Sequence, residues 1–394
     1  MSKGTPGIPY WRLSSFYFVY YLVLGTMMPY WSLYLDALGV SPSGIAATFA
    51  VMSATRIIGP NLWGWLADRS GHRLSIIRGA SVAATVSFGA ILVVRDAVWI
   101  AVVMCVHTLF WNAILAQYEV ITLNSLKENH SRYGQVRLWG SVSFVLAVWG
   151  FGALFDVLDM LMFPFLLLGI LALVALTSFS IQDPGAGEVH EQHGSIWPVL
   201  RRSDVAAFML GCFLLQVSHG TYYTFFSLYV EDLGYSRTQT GLLWAVGVIA
   251  EIAVFAWMHR LRARFDLRTL LLLSVALTLV RWILTATLAS SLVVLLFAQS
   301  LHAFSYGSFH GAGIEYVRRR FGGRHQGQGQ ALYSAVSFGA GSAVGALISG
   351  SVWEQGAQLA FWLSAFAALL CWFILARWVH DDAYPPTLTK GSPL

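Results

Sequence analysis

"GTMMPYWSLYLDALGVS" (25–41) recurs later in the chain as "GTYYTFFSLYVEDLGYS" (220–236). The two stretches align without gaps at an offset of 195 residues and share eight identities in 17 positions. Roughly one identity would be expected by chance, so the match predicts an internal duplication. Polar positions inside the apolar regions follow the same offset, which carries Arg56 onto Glu251. The duplicated copies therefore keep their register while their charges differ.

The composition indicates that the duplicated unit lies in a membrane. Of the 394 residues, 57% are hydrophobic and only 11% are charged, which is too apolar for a soluble domain with a wet surface. A helix needs about 20 apolar residues to cross about 30 Å of hydrocarbon. Stretches of this length predict twelve spans, at 14–35, 43–66, 74–94, 97–121, 137–155, 160–180, 205–230, 239–258, 269–288, 291–314, 331–353 and 359–378.

The longest polar stretch separates spans six and seven. It reads "IQDPGAGEVHEQHGSIWPVLRRSD" (181–204) and is rich in Gly, Pro and charged residues, which is typical of a linker. We predict an all-α membrane protein with twelve transmembrane helices in two pseudo-symmetric six-helix halves. The predicted parts are an N-terminal half over 1–181, a cytoplasmic linker over 182–204, a C-terminal half over 205–380 and a cytoplasmic tail over 381–394.

The distribution of basic residues predicts the orientation. Arg95 and Arg237 are the only two of the 24 Lys and Arg residues in loops on one side, and two more lie inside spans. The other 20 lie on the side with both termini, which the positive-inside rule assigns to the cytoplasm. The net charge of +5 therefore reports topology and gives no argument for nucleic-acid binding. No cleavable signal peptide is evident, and we expect a multi-pass protein of a bacterial-type inner membrane.

The sequence contains no pattern that predicts an enzyme. The phosphate-binding pattern G-x-x-x-x-G-K-S/T is missing, and the glycine-rich, basic run at 318–330 lacks its lysine-hydroxyl ending. Cys105, Cys212 and Cys371 lie in separate spans without the spacing of metal ligands, so we interpret them as packing residues. We expect no cofactor, no metal and no nucleic-acid partner.

"GWLADRSGHR" (64–73) follows the second span and resembles the G-x-x-x-D-R-x-G-x-R motif of the major facilitator superfamily. Gly64 and Gly71 would permit close helix approach and a tight turn. Asp68, Arg69 and Arg73 would form charge contacts that hold one conformation. We therefore predict a gating role for these residues and no contact with substrate. The resemblance implies a transporter that exposes a central site alternately to the two sides of the membrane.

The stretch "YGQVRLWGSVSF" (133–144) puts an arginine where the fifth span begins. In the lactose permease group of that superfamily, a similar arginine binds substrate, pairs with a glutamate 18 residues earlier and is followed by an aromatic that stacks on the sugar. The matching positions here are Glu119, Arg137 and Phe144. The resemblance implies that these three residues bind substrate.

Two other roles remain open for Arg137. An isolated ion at the bilayer centre costs about 3 kcal/mol or more, so a Glu119–Arg137 pair would also suit a permanent salt bridge between two helices. Alternatively, Arg137 could lie at the cytoplasmic interface with its charge in water.

The second half contains three further polar residues inside spans. These are Glu251 on span eight, Arg281 on span nine and His302 on span ten. In lactose permease a Glu–Arg–His cluster of this kind takes part in substrate binding and proton coupling. The glutamate that carries the proton there follows the histidine by three residues, and that position is Ser305 here. The proton would therefore move to another group, with Glu251, Glu119, Glu315 and His302 as candidates.

A closer resemblance, over nearly the whole chain, is to the phenylpropionate permease branch of the superfamily. The segments that carry it are "YGQVRLWGSVSF", "LLQVSHGTYYTFFSLY" (214–229), "GVIAEIAVFA" (247–256) and "VRWIL" (280–284). On span seven, His219 and Tyr223 would offer a hydrogen bond and an aromatic face to a ring-bearing ligand. Both residues would equally suit helix packing. Gln299 and His310 on span ten are weaker candidates.

The sequence thus predicts a monomeric secondary transporter that imports a small organic solute with protons. A phenylpropionate-like aromatic carboxylate is the expected substrate, and a sugar or nucleoside is the alternative. A non-transporting membrane receptor on the same fold is a third hypothesis, although the chain offers no soluble signalling domain. The expected partners are the solute, protons and the lipid bilayer.

Overall fold

The computed structural model describes residues 9–126, 129, 132–182, 196–322 and 325–380. The described regions form helices and short connections, without a β-strand. The helices are α1 (Tyr10–Ala37), α2 (Pro42–Ser70), α3 (Arg73–Gly89), α4 (Ala97–Leu126), α5 (Tyr133–Phe155), α6 (Phe163–Ser178), α7 (Trp197–Leu200), α8 (Ser203–Asp232), α9 (Arg237–Arg264), α10 (Leu267–Leu288), α11 (Leu292–Ser300), α12 (Phe309–Arg320), α13 (Gln326–Ser334), α14 (Ser342–Val352) and α15 (Ala357–Trp378).

Ten helical segments in the described ranges are long and apolar enough to cross a membrane. Two of them join shorter helices, since Leu292–Arg320 contains α11 and α12, and Gln326–Gln355 contains α13 and α14. Helices α1 and α2 are 28 and 29 residues long but are not among the ten. Their polar and aromatic side chains lower the mean hydropathy. The all-helical membrane fold is confirmed, whereas the count of twelve spans stays a prediction.

The repeated stretch forms the same turn in both copies. Gly39 and Gly234, which are 195 residues apart, have φ of 77° and 89°. The N–H of each donates to the carbonyl three residues earlier, at 2.7 Å and 2.9 Å. Ser41 and Ser236 then cap the next helices by accepting the N–H three residues on, at 3.3 Å and 3.2 Å. A left-handed backbone favours glycine, and the start of a helix favours serine. The two copies therefore keep the same residue types at the same structural positions.

The helices end at two faces of the molecule. We call one the basic face, because it carries the α2–α3 turn with Arg73 and the C-terminal end of α12 with Arg318–Arg320. The other, the opposite face, carries the α1–α2, α5–α6 and α8–α9 turns. The first six helices contact the later ones mainly through α5 with α9, α2 with α14, and α1 with α8.

The two sets of helices approach each other most closely near the opposite face. A Cβ on Gly241 of α9 would collide with the carbonyl of Val148 on α5, and one on Gly350 of α14 would collide with Ala46 on α2. A Cβ on Gly152 of α5 would likewise lie 2.3 Å from the carbonyl oxygen of Arg237 on α9. Toward the basic face, by contrast, most residues of α2 and α9 are exposed. The space between the halves therefore opens at the basic face.

Three apolar clusters hold this arrangement. One lies mainly within the first six helices and extends to Phe225 and Leu228 of α8. A second lies near the basic face of the later helices, and the third joins Phe144 and Val148 of α5 to Tyr222 and Trp244. Of the predicted linker, residues 183–195 lie outside the described residues, and α7 lies in the remainder. The predicted tail at 381–394 also lies outside them. The predicted boundaries of the halves stay predictions.

Candidate functional site

Arg137 lies in the second turn of α5 and is half-buried. Its Nη2 donates to the hydroxyl of Tyr21 on α1, and its guanidinium carbon lies 4.1 Å from the Tyr21 ring centroid. The ring of Tyr17 is 5.7 Å away. Gly140 makes room for this contact, since a Cβ there would lie 2.7 Å from the Tyr21 ring. Arg137 is therefore stabilised by a hydroxyl and an aromatic face.

Glu119 on α4 is not joined to Arg137 by an ion pair in the described part of the chain, contrary to the direct pair that the sequence suggested. The hydroxyl of Tyr133 donates to Glu119 Oε1 at 3.3 Å. The two charges interact at longer range. The physical reason is that tyrosine hydroxyls satisfy each charge separately, so neither side chain has to swing to the other.

Arg281 on α10 has no exposed surface. It donates to Gln299 Oε1 at 2.9 Å, to His302 Nδ1 at 3.0 Å and to Ser305 Oγ at 3.3 Å. Its guanidinium also lies over the rings of Tyr222 and Trp282, at 4.2 Å and 4.4 Å. No carboxylate pairs directly with it among the described residues. Polar acceptors and aromatic faces therefore carry the whole stabilisation of this buried cation.

His302 connects Arg281 to Glu251 on α9. Because Arg281 donates to His302 Nδ1, that nitrogen is the acceptor and the ring proton lies on Nε2. His302 Nε2 lies 3.8 Å from Glu251 Oε2. The three residues predicted as a cluster are thus brought together in the order Arg281, His302, Glu251. Such a chain can pass a change of charge at the carboxylate to the buried arginine.

His219 on α8 is fully buried next to this cluster. Its Nδ1 donates to the carbonyl of Leu215 at 2.7 Å, so its Nε2 is an acceptor. That Nε2 has no hydrogen-bond partner among the described residues. The ring stacks on Tyr223 with 6.0 Å between centroids and lies 6.4 Å from the His302 ring. His219 therefore presents an unused acceptor beside an aromatic ring.

Phe144 on α5 is 7% exposed and packs in the apolar cluster that joins the two halves. Its backbone also lies against α1, where a Cβ on Gly25 would be 2.8 Å from the Phe144 carbonyl oxygen. This geometry gives Phe144 a packing contact at the wall of the inter-half space. Its predicted stacking on a substrate stays a prediction.

The polar residues around Arg137 and those around Glu251 border the same space between the halves. Arg137 from α5 interacts electrostatically with Glu251 from α9, across the boundary between the halves. Tyr306, in the π-helical segment Ala303–Ser308 between α11 and α12, lies within electrostatic range of both of these residues and of Tyr21. Arg137, predicted for substrate binding, and Glu251, predicted for proton coupling, therefore border a common region between the halves.

A separate polar contact closes the opposite face. Asp156, at the end of α5, accepts the N–H groups of Arg237 and Thr238 at 2.8 Å and 3.1 Å, and also the Thr238 hydroxyl. Asp156 thus caps α9 of the other half. Burial raises the pKa of Asp156, but the hydrogen bonds from Thr238 and Arg237 outweigh it and hold the pKa below its ordinary value.

The predicted gating residues form a compact turn at the basic face. Gly71 has φ of 68° and ends α2. Asp68 pairs with Arg73, which also donates to Gln117 on α4. Arg69 lies over the ring of Trp65 at 5.5 Å. Gly64 also faces Gln117, since a Cβ on Gly64 would lie 4.0 Å from the Gln117 Nε2. The motif thus links α2, α3 and α4 of the first half.

A small cavity lies beside the coupling cluster and has room for about one water molecule, at about 10 Å³. Its walls include Gln216, Ser305, His310 and Tyr333. The helix containing Ser305 is π-helical there, as is 335–341 on the other side. Such turns are frequent at functional sites because they leave backbone groups outside the regular ladder. Sequence periodicity could not locate them.

Sequence reasoning missed two ring contacts of the arginines. Tyr21 holds Arg137, but it lies in an aromatic-rich stretch in which each tyrosine looks like a packing residue. Tyr222 presents its ring face to Arg281, and nothing in the residue spacing indicates this contact. Among the described residues, no group of three or more His, Cys, Asp and Glu side chains could hold a metal ion.

Known proteins are similar to this chain over most of its length. The profile described as "MFS_1 like family" matches residues 10–363. The "Probable 3-phenylpropionic acid transporter" of Escherichia coli (strain K12) is 30% identical over 91% of this chain and 95% of its own length. The "Maltose permease" of Geobacillus stearothermophilus is 26% identical over 92% of this chain and 93% of its own length.

The fold also matches solved structures. A crystal structure of a mutant of the nucleoside transporter NupG superposes with a TM-score of 0.85 at 14% identity, over 93% of this chain and 98% of that chain. The transporter PepTSo gives a TM-score of 0.75 at 11% identity, over 94% of this chain and 96% of that chain. At these identities the likeness concerns the fold alone.

Proposed function

The chain belongs to the MFS_1 like family, within the major facilitator superfamily of membrane transporters, and on that premise we propose that it is a proton-coupled symporter that imports a small aromatic carboxylate of the phenylpropionate type. The 30% identical relative supports this substrate class, because its name specifies a 3-phenylpropionic acid transporter.

One observation carries the proposal most directly. Arg137 is a cation inside a membrane helix whose partner is a neutral tyrosine, and it borders a space that opens at the basic face. A guanidinium held in this way keeps donors available for a carboxylate, which it can bind with two parallel hydrogen bonds. The aromatic residues nearby suit the ring of such a substrate.

The proton would act through Glu251. In the proposed mechanism, protonation of this carboxylate removes a negative charge that interacts with His302 and Arg137. His302 and Arg281 then adjust around the neutral acid, while the substrate anion compensates the free positive charge. Ser305 accepts a hydrogen bond from Arg281. Its neutral hydroxyl contributes a dipole to this cluster and does not carry the transported proton.

Transport would proceed by rocking of the two halves. The hydrogen bonds of Asp156 to α9 and the close approach of Gly241 to Val148 favour closure of the opposite face. The gating turn at Asp68 and Arg73 would form part of the seal at the basic face. We propose that the basic face is cytoplasmic and that the membrane is a bacterial-type inner membrane. The distribution of basic residues supports this orientation.

A sugar is the second candidate substrate. The 26% identical maltose permease supports it, as does the glutamate–arginine–aromatic set formed by Glu119, Arg137 and Phe144. A sugar needs hydroxyl partners and no net charge, so ligand charge separates the two candidates.

A screen of purified protein distinguishes these possibilities. Only ligands that bind the folded state raise its melting temperature. We expect 3-phenylpropionate to raise it, and maltose and uridine to leave it unchanged. Uptake of the labelled acid into proteoliposomes then separates a transporter from a receptor. Stabilisation by maltose alone would replace the aromatic acid as the substrate.

A further inference from the structure

Arg56 lies at the midpoint of α2, 14 residues from either end of Pro42–Ser70, or about 21 Å along the helix. It is exposed. At this depth an arginine facing lipid would cost about 3 kcal/mol or more. Arg56 is therefore tolerated at this depth only where its side chain faces protein or a water-accessible space.

The neighbours of Arg56 place it on the inter-half space. The adjacent Ile57 contacts the second half, since a Cβ on Gly339 would lie 2.5 Å from the Ile57 side chain. Arg56 itself lies within electrostatic range of Tyr20 on α1 and of Tyr306 in the second half. Arg137 lies within range of the same two tyrosines. The two guanidiniums therefore border one region from different helices.

Arg56 differs from the other two arginines inside the membrane helices. Arg137 has the Tyr21 hydroxyl and ring, and Arg281 has three polar acceptors and two rings. Across residues 9–126, 129, 132–182, 196–322 and 325–380, no side chain or carbonyl forms a hydrogen bond, ion pair or ring contact with Arg56. Its donors are free for a ligand.

The charges around the space leave a positive excess. The groups that surround it are Arg56, Arg137 and Arg281 against the carboxylates Glu119 and Glu251. His219 and His302 lie there too, and protonation of either could only add positive charge. Glu315 does not compensate, because it pairs with Arg262, Arg318 and Arg319 at the basic face.

We propose that Arg56 is an anion-binding residue of the transport site and that the carboxylate of the substrate lies between Arg56 and Arg137. This inference rests on the proposed function and deepens it, since it makes the substrate an organic monoanion. The bound anion reduces the positive excess, and the guanidinium of Arg56 offers two parallel donors to its oxygens. Tyr20 and Tyr306 lie beside the same region, where a ring attached to the carboxylate can pack.

The test compares an acid with its neutral isostere. Binding of 3-phenylpropionate and of 3-phenylpropanamide is measured by calorimetry on the purified full chain. Arg56→Gln should weaken binding of the acid at least about tenfold, because one charge-assisted pair is lost, and should leave binding of the amide within about twofold. Arg56→Lys should retain more acid binding than Arg56→Gln. Arg260→Gln, at an exposed arginine of α9, should bind the acid as the wild type does.

Two results overturn the proposal. One is wild-type affinity for the acid in Arg56→Gln, and the other is an equal loss of acid and amide binding in a variant that remains monodisperse. As a second readout, Arg56→Cys should react with a hydrophilic thiol reagent, and a saturating concentration of the acid should protect it. Failure of proton coupling with intact acid binding would remove the symport claim and leave Arg56 in place. If the wild-type protein prefers a neutral sugar, both the proposed substrate class and the anion-binding role of Arg56 are wrong.

Discussion

Arg137 in the first half and Arg281 in the second half are both arginines inside membrane helices, but they are stabilised in different ways. Arg281 is fully buried, and its two terminal nitrogens donate to Gln299, His302 and Ser305. Arg137 is half-buried and is held by Tyr21 beside a space that opens at the basic face. We propose from this difference that an arginine in a membrane helix serves the fold when its terminal nitrogens are occupied, and serves a ligand when donors remain available.

Truncation of each arginine should show the largest difference between the two sites. Arg281→Ala should destabilise the protein by about 3 kcal/mol or more, because it leaves buried acceptors unpaired and opens a cavity. Arg137→Ala should lower the melting temperature much less. Thermal unfolding of both variants in detergent measures the contrast. Equal shifts for the two variants would erase the distinction between a structural and a ligand-facing arginine.

Arg137→Lys tests whether Arg137 binds the ligand through the two-pronged geometry of its guanidinium group. An ammonium group keeps the charge but loses the planar, two-pronged donor, so we expect the affinity for an aromatic carboxylate to fall by about tenfold to a hundredfold. Arg132→Lys is the matched control, since Arg132 is exposed and lies over the ring of Tyr10. Equilibrium binding to the purified protein measures both. Wild-type affinity in Arg137→Lys would leave Arg137 as an interfacial anchor.

Glu251→Gln tests how the two arginine sites are coupled. Glutamine keeps the volume and a hydrogen bond but removes the titratable charge that both Arg137 and His302 sense. Accumulation driven by about one pH unit should drop from about tenfold to about onefold, whereas exchange at equal concentrations should persist. Glu354→Gln, at an exposed site on the opposite face, should accumulate normally. Normal accumulation in Glu251→Gln would transfer the coupling role to Glu119 or Glu315.

The smallest effect is expected far from both arginines, where Asp156 caps α9 across the halves. Asp156→Ala removes the carboxylate that accepts the first N–H groups of α9, a loss of about 1 kcal/mol, so amide exchange at Arg237 and Thr238 should rise roughly fivefold. The lowered pKa of Asp156 means that this cap is complete at neutral pH and weakens only as the pH falls through that lowered value.

Asp159→Ala is the control for this prediction, because Asp159 accepts the N–H of Leu161 within its own half, at 2.8 Å. It should leave exchange at Arg237 and Thr238 unchanged. Equal loosening by both variants would mean that the whole α5–α6 turn, and no specific contact between the halves, sets the exchange rate.

Much of the fold was predictable because local rules repeat. The glycine–serine turn at Gly39 and Ser41 recurs at Gly234 and Ser236 with the same hydrogen bonds, so sequence identity reported geometry directly. The span count was less secure. Hydropathy averages each helix along its length, and α1 combines many aromatic and polar residues that face protein, which lowers its average although 28 residues could cross a membrane.

The candidate site was predictable in composition but not in pairing. Glu251, Arg281 and His302 come together as predicted, because the helical faces that carry them are adjacent. Glu119 and Arg137 were expected to pair directly, yet tyrosines hold each of them. Rotamer choice and the space left by Gly140 decide that outcome, and neither is encoded in residue spacing.

The central claim is that proton movement drives import of an aromatic carboxylate through the space between the halves. Its most direct test is uptake of labelled 3-phenylpropionate by proteoliposomes with an imposed pH gradient, acidic outside. The account predicts accumulation above the external concentration, proton entry with the solute, and collapse of both when a protonophore is added. Uptake that only equilibrates, with no proton movement and no response to the gradient, would contradict it.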